Sequence, residues 1–340
     1  MSTQYARHFS RRRFLGGLTL AGAAGLLGLP PRQVAAEPPP ETTTLRLIRL
    51  PSLCSAPTEV AGDLLVGEGF SDVQYVQVSA SPDGYKALAA GEASMGLLFA
   101  GSVVTRIDAG DPLMLIGGIH VGCFELFGSE RVRSVRDLKG KTVAVPALGD
   151  SRHIFVASMA TYVGLDPRSD IHWAIHRGPE AMQLLAEGKI DGFMGFPPEP
   201  QELRAKKIGH VVVDTGTDRP WSQYFCCMVV ANRDFVGRHP VASKRALRAL
   251  LKATDICARE PTRAAQLIVE RGYTPRYDYA LQTMEEIPYN RWREYDPEDT
   301  VRFYALRLQE AGMIKSTPQK IIAQGTDWRF FNELKKELKG

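Results

Sequence analysis

Val135-Arg136-Asp137-Leu138-Lys139-Gly140-Lys141-Thr142-Val143-Ala144-Val145 opens, for the second time in this chain, an alternation of helix and strand, and that repetition decides the fold. Thr142–Val145 reads as a short strand. A helix over Ser151–Val163, a strand at Ile171–Ile175, a helix at Pro179–Ala186, a strand at Ile190–Phe196, a helix near Glu199–Lys206 and a strand at Val211–Asp214 follow. Alternation of this kind predicts a mainly parallel sheet covered by helices.

An earlier block has the same rhythm. Leu45–Leu50, Val73–Val78, Ser94–Leu98 and Leu113–Gly118 read as strands, separated by helices near Ala56–Gly67, Pro82–Ala90 and Ser102–Ala109. Ser81-Pro82-Asp83 sets a cap and an N1 proline, Gly91 closes that helix, and Gly91-Glu92-Ala93-Ser94-Met95-Gly96 turns tightly into a buried strand. One more strand, Tyr224–Ala231, leads into a mostly helical tail reaching Leu338. That tail cannot form an α/β domain of its own and is expected to pack back on the first block. The reading is therefore an α/β, two-lobed fold: residues 45–130 with 222–340 in lobe 1 and 131–221 in lobe 2. The chain crosses between them near Gly128–Arg133 and Gly216–Gln223. Two crossings make a hinge, and the carboxyl ends of strands face a shared cleft.

Ahead of the fold, residues 1–36 read as a twin-arginine export signal. Ser10-Arg11-Arg12-Arg13-Phe14-Leu15 precedes a Gly/Ala-rich apolar run, Gly16–Leu29, too short for a confident bilayer span, and Val34-Ala35-Ala36 suits signal peptidase. Residues 37–44 are a Pro-rich linker. Cleavage after Ala36 would turn 42 basic against 38 acidic residues into 37 against 38. The near-neutral remainder gives no electrostatic ground for a nucleic-acid partner. A soluble periplasmic protein is the expected outcome, with an uncleaved membrane tether as the alternative. Cys54, Cys123, Cys226, Cys227 and Cys257 are odd in number, so one stays free in an oxidising compartment unless it pairs between chains. No spacing among them gives a zinc signature, and Cys226-Cys227 in a strand would point to opposite faces. No metal and no cofactor is expected. Gly-x-Ser-x-Gly, P-loop and HExxH motifs are absent from the sequence.

From Leu45 onward the chain resembles the periplasmic solute-binding proteins of ABC importers for nitrate, taurine and aliphatic sulfonates, and their thiamin-pyrimidine-precursor relatives. The likeness rests on Gly91–Gly96, where the family has Gly-Glu-x-Asp-x-Gly, on Val135–Val145, and on Lys189-Ile190-Asp191-Gly192-Phe193. It implies a type II periplasmic-binding fold, a small-molecule ligand, and a permease partner in the inner membrane. Trp221-Ser222-Gln223-Tyr224-Phe225-Cys226-Cys227-Met228 sits where eukaryotic synthases of the pyrimidine-precursor branch carry a Cys-Cys-Cys-Phe-Cys iron motif. Only two of those cysteines stand here, which counts against that branch's reaction, in which the enzyme's own histidine and pyridoxal phosphate are consumed.

Carried onto this chain, the family's cleft is lined by five loops. They hold Cys54 and Ser55; Phe99, Gly101 and Ser102; His120; Asp150, Ser151, Arg152 and His153; and Phe196 and Glu199 with Trp221 and Tyr224. Each has a plainer reading. Asp150 equally serves as an ordinary N-cap, and beside an anion it costs Coulomb energy unless Arg152 restores positive charge. Core packing competes for every aromatic residue; Trp221 and Tyr224, flanking polar Ser222 and Gln223, are favoured as ligand contacts. His120 and His153 are equally ordinary satisfied histidines, and His172 and His176 share a strand face without a partner set. The charged, aromatic stretch Arg291–Asp299 reads either as a permease-docking surface or as internal ion pairs with an Asp296 cap and Pro297 at N1.

The leading function is capture of a small organic molecule (a heterocycle, sulfonate or organic acid) between two lobes, with no catalysis. A periplasmic, cofactor-containing enzyme related to the precursor synthases is the alternative. A receptor docking on a kinase ectodomain is a third reading.

Overall fold

The computed structural model describes residues 37–78 and 81–339, and the compact body begins at Pro39. The segment read as an export signal lies outside the described residues. The first stretch comprises β1 (Thr44–Arg49), α1 (Ala56–Val60), α2 (Gly62–Gly67), β2 (Asp72–Gln77), α3 (Ser81–Ala89), β3 (Met95–Phe99), α4 (Ala100–Asp108) and β4 (Leu113–Val121). Next come β5 (Glu125–Gly128), β6 (Lys141–Val145), α5 (Ser151–Tyr162), β7 (Ile171–Ile175), α6 (Gly178–Ala186), β8 (Gly192–Gly195), α7 (Glu199–Lys206) and β9 (His210–Asp214). The chain then forms β10 (Phe225–Asn232), α8 (Arg233–Arg238), α9 (Pro240–Arg259), α10 (Pro261–Glu270) and α11 (Tyr277–Glu286). Three helices end it: α12 (Pro297–Glu310), α13 (Pro318–Gly325) and α14 (Arg329–Glu337).

The strands build two sheets, ordered β2-β1-β3-β10-β4 and β7-β6-β8-β5-β9. In each, one strand runs against the others: β10 is antiparallel to β3 and β4, and β5 to β8 and β9. Both are the first strand after a crossing, so each enters its sheet from the side facing the other sheet. This is why sheets of sequential parallel strands each contain one opposed member.

The first crossing falls earlier than the sequence suggested. Glu125–Gly128 already pairs with β8 and β9, so the chain changes sheet at residues 122–124 rather than near 128–133. Four buried residues carry no alternation of exposure, which hides β5 from a periodicity reading. The return crossing occupies residues 215–224, and the two are bonded together. The Thr215 hydroxyl accepts from the N–H groups of Cys123 and Phe124 and donates to the Phe124 carbonyl at 2.7 Å. Gly122 takes a left-handed φ of 59°, and a side chain there would collide with Gly216.

The tail is spent on the interior. Tyr304 of α12 packs on Phe99 of the first sheet and on Phe155 of α5 beside the second, so α12 touches both halves rather than the first alone. Trp292 is fully buried and donates to Asp255, which also holds Arg293; Asp296 caps α12 through the N–H groups of Glu298 and Asp299. Internal pairing thus accounts for much of the charge in the tail's aromatic stretch. Among the described residues no helix is long and apolar enough to cross a membrane.

Candidate functional site

Three groups of side chains meet between the sheets. The first is a column of rings. Phe99, at the end of β3, stacks on Phe155 with centroids 4.9 Å apart, and Phe124 of the first crossing meets both edge-on or tilted. Phe196 extends the column from Phe124, and Trp221 from Phe155. Gly101 leaves room for it, since a side chain there would meet the Phe99 and Tyr304 rings. Trp221 is buried against Phe155, Tyr162 and Phe303, and Tyr224 stacks on Phe303 at 3.9 Å. Core packing therefore describes Trp221, whereas Tyr224 is half-buried and lines a pocket with Ser222 and Gln223. The ring that both Trp221 and Tyr224 meet, Phe303, sits in a tail whose individual contacts could not be read from its sequence.

The second group is polar and drawn from both halves. Asp150 caps α5, accepting from the Arg152 N–H at 3.0 Å, with Ser151 buried beside it. Both Glu199 oxygens lie 2.8 Å from one Arg152 nitrogen, and the guanidinium covers the Phe196 ring at 4.3 Å. Burial pushes the Glu199 carboxyl up, against the pull of Arg152. Arg152 is thus already neutralised, and with Asp150 the site holds formally two carboxylates against one guanidinium. From the other side come Ser102 of α4 and Tyr85 of α3, the latter absent from the sequence-based set. Burial raises the Tyr85 phenol, while the Ser102 hydroxyl lowers it and the Asp150 charge adds to the rise. The Tyr85 and Ser102 hydroxyls, close enough to perturb one another, and Arg152 Nε are buried with no partner in hydrogen-bond geometry among the described residues. Such atoms are costly unless a bound molecule or water meets them.

His153 turns elsewhere. It meets the Trp173 ring edge-on at 4.6 Å, and its Nδ1 accepts from the Gly149 N–H, which requires a neutral ring. Burial drives it down to about 4. His176, one residue past β7, pairs with Glu180.

The third group is sulfur and imidazole. Cys54, in the buried turn after β1 beside Ser55, joins His120 at the end of β4, Cys123 of the first crossing and Cys227 of β10, all donor atoms within 4.8 Å of one another. Cys226 also reaches in, its Sγ 3.2 Å from that of Cys123. The expected opposite facing of Cys226 and Cys227 fails because β10 shifts register against β4 on both sides of Cys227, and a bulge turns consecutive side chains toward one side. His120 is fully buried; desolvation disfavours its charge, but Cys227 outweighs that and raises it to about 10. The Cys227 thiol is correspondingly pushed well down by hydrogen bonds from Cys123, Cys226 and Cys54. No spacing rule finds this cluster, because its members come from four places along the chain. The odd cysteine count was the one available signal.

Two mixed sheets joined by two crossings, with buried polar groups between them, define the class: a two-lobed fold of the type II periplasmic-binding kind. The solved structures agree. The alkanesulfonate-binding protein SsuA from Xanthomonas axonopodis pv. citri, bound to MOPS, superposes with a TM-score of 0.67 at 17% identity, covering 86% of this chain and 100% of that one. The periplasmic nitrate-binding protein NrtA from Synechocystis PCC 6803 gives 0.69 at 14% identity, covering 89% and 90%. Residues 68–264, more than half of the sequence, match the NMT1/THI5-like family, and the chain belongs to that family. A curated relative, the 4-amino-5-hydroxymethyl-2-methylpyrimidine phosphate synthase of Candida albicans, is 26% identical over 207 residues, 57% of this chain. That match spans 60% of the relative's length.

Proposed function

We propose that this chain is the extracytoplasmic solute-binding component of an ABC-type importer. It captures a small organic molecule between its two sheets and closes on it by rotation about the paired crossings at Gly122–Phe124 and residues 215–224. It then delivers the molecule to an inner-membrane permease. The observation that carries this reading is the buried polar group contributed from both halves, Tyr85 and Ser102 facing Asp150 and the Arg152–Glu199 pair, with hydrogen-bonding capacity unmet. Export by the twin-arginine route belongs to the same reading.

The charge balance narrows the ligand. Two carboxylates around one guanidinium repel a bare nitrate or sulfonate, whereas the carboxylates and buried hydroxyls suit a neutral or cationic heterocycle. Binding needs no chemistry. Some of the curated relatives are named synthases and others bicarbonate-binding proteins, and the sulfur cluster is the feature that favours an enzyme instead. However, none of the five cleft loops has a lysine to which pyridoxal phosphate could attach. A thermal-shift screen against pyrimidines, thiamin precursors, sulfonates, nitrate, taurine and carboxylates tests the assignment. Stabilisation by a heterocycle supports it; an absorbing cofactor copurifying with the protein would favour the enzyme.

A further inference from the structure

We infer that Cys54, His120, Cys123 and Cys227 form a binding site for a borderline-soft transition-metal dication of the zinc(II) class. This goes beyond solute binding and stands whichever solute the cleft takes. Three thiolates and one imidazole are a complete tetrahedral set for such an ion. With metal–sulfur bonds of about 2.3 Å and a metal–nitrogen bond of about 2.0 Å, the donors of a tetrahedral site lie roughly 3.5–3.8 Å apart. The present spread of up to 4.8 Å therefore needs side-chain adjustment on the order of an ångström and no movement of a strand.

The imidazole is oriented for the task. His120 Nδ1 lies 3.0 Å from the Gly122 carbonyl and 3.2 Å from that of Val121, so its N–H is directed at backbone oxygen. That leaves Nε2 without a hydrogen-bond partner in a side chain with no solvent exposure. A backbone carbonyl fixing one ring nitrogen so that the other can ligate is the usual support of a metal-bound histidine. The sulfur side has its own support. The Ser52 hydroxyl lies 3.0 Å from Cys54 Sγ, and the buried Tyr289 hydroxyl donates to the Cys54 carbonyl at 2.9 Å.

Access exists from one side. A pocket of about 370 Å³ between the halves reaches Cys123, the half-buried member of the set, past Glu125 and Arg204. The donor set differs from a contiguous cysteine motif: only Cys227 belongs to the Cys226-Cys227 pair, and Cys226 is left as a spare thiol beside Cys123. An ion here would join β1's turn, β4, the first crossing and β10, and so stiffen the root of the hinge rather than line the cleft.

The test uses the whole secreted chain, purified under reducing conditions, stripped with a chelator and titrated with zinc(II) and with cobalt(II) as a spectroscopic probe. The expected result is one equivalent bound, with thiolate-to-cobalt charge-transfer bands and the strong visible bands of a tetrahedral centre. Cys227→Ser and Cys54→Ser should abolish those bands, Cys257→Ser, buried in α9 away from the set, should keep them, and Tyr289→Phe should weaken binding roughly tenfold. X-ray absorption on the loaded wild-type protein, which depends on no variant folding, should give three sulfurs and one nitrogen. A shell of oxygen and nitrogen only, or cobalt bands that persist in folded Cys227→Ser, would overturn the assignment.

Discussion

The aromatic column and the polar group beside it lie between the two sheets and are built on opposite principles. Phe99, Phe124, Phe155, Phe196 and Trp221 have their surfaces covered by one another and by α12, with ring centroids 4.9–5.7 Å apart. Tyr85 and Ser102 are as deeply buried, yet their hydroxyls have no partner. The column holds the two halves together through packing. The polar group gives up some stability, which a ligand can restore. From sequence Trp221 and Tyr224 were favoured over the other rings as ligand contacts; a satisfied side chain has little left to offer a solute, whereas an unmet hydroxyl does.

The largest effect should come from breaking the column. Trp221→Ala should destabilise the protein by about 3–5 kcal/mol, measured by urea unfolding, through the cavity left between Phe155, Tyr162 and Phe303. Weakened solute binding at unchanged stability would instead return Trp221 to the ligand site. Next in size is Glu199→Gln, which leaves the Arg152 guanidinium buried and uncompensated at a cost of about 3 kcal/mol. The same variant should shift preference toward anions, so a sulfonate that does not bind the wild type should begin to bind, readable by calorimetry.

The pH dependence is smaller and its sign is fixed by His153. Its folded pKa of about 4 lies below the ordinary value of 6.5, so the unfolded chain takes up the extra proton on acidification. That contribution is complete above about pH 6.5 and is lost progressively down to about pH 4. His153→Gln should flatten the stability profile across that window; an unchanged slope would mean that other groups set it. The smallest change in stability should accompany Tyr85→Phe and Ser102→Ala, within about 0.5 kcal/mol or slightly stabilising, because each deletes an unsatisfied hydroxyl. Ligand affinity should nevertheless fall roughly tenfold in each, the value of one hydrogen bond made only in the complex.

Most of the fold was legible because it is local. Val73–Val78 and Val211–Asp214 announce strands by β-branched residues, and Asp150 and Asp296 announce the helices they cap. Glu125–Gly128 escaped because a short strand buried on both faces has no period. The site was legible only where one segment carries it: the Asp150-Ser151-Arg152 turn is visible in sequence, whereas the Arg152–Glu199 pair depends on α7 lying against α5's start. Tyr85, Phe155 and the joining of Cys54 with His120, Cys123 and Cys227 are products of topology. Residues this far apart meet because β10 inserts between β3 and β4, and nothing in their spacing records that insertion.

On the proposed function, the polar group between the sheets receives a small heterocyclic solute. The decisive experiment is calorimetric titration of the protein with the pyrimidine or thiamin-precursor that gives the largest thermal shift, repeated on Tyr85→Phe. One site per chain is expected in the wild type, with stabilisation of about 2.7 kcal/mol at 100 times the dissociation constant and a roughly tenfold loss of affinity in the folded variant. Unchanged affinity in Tyr85→Phe, or tight binding of nitrate or sulfonate with none of any heterocycle, would contradict it.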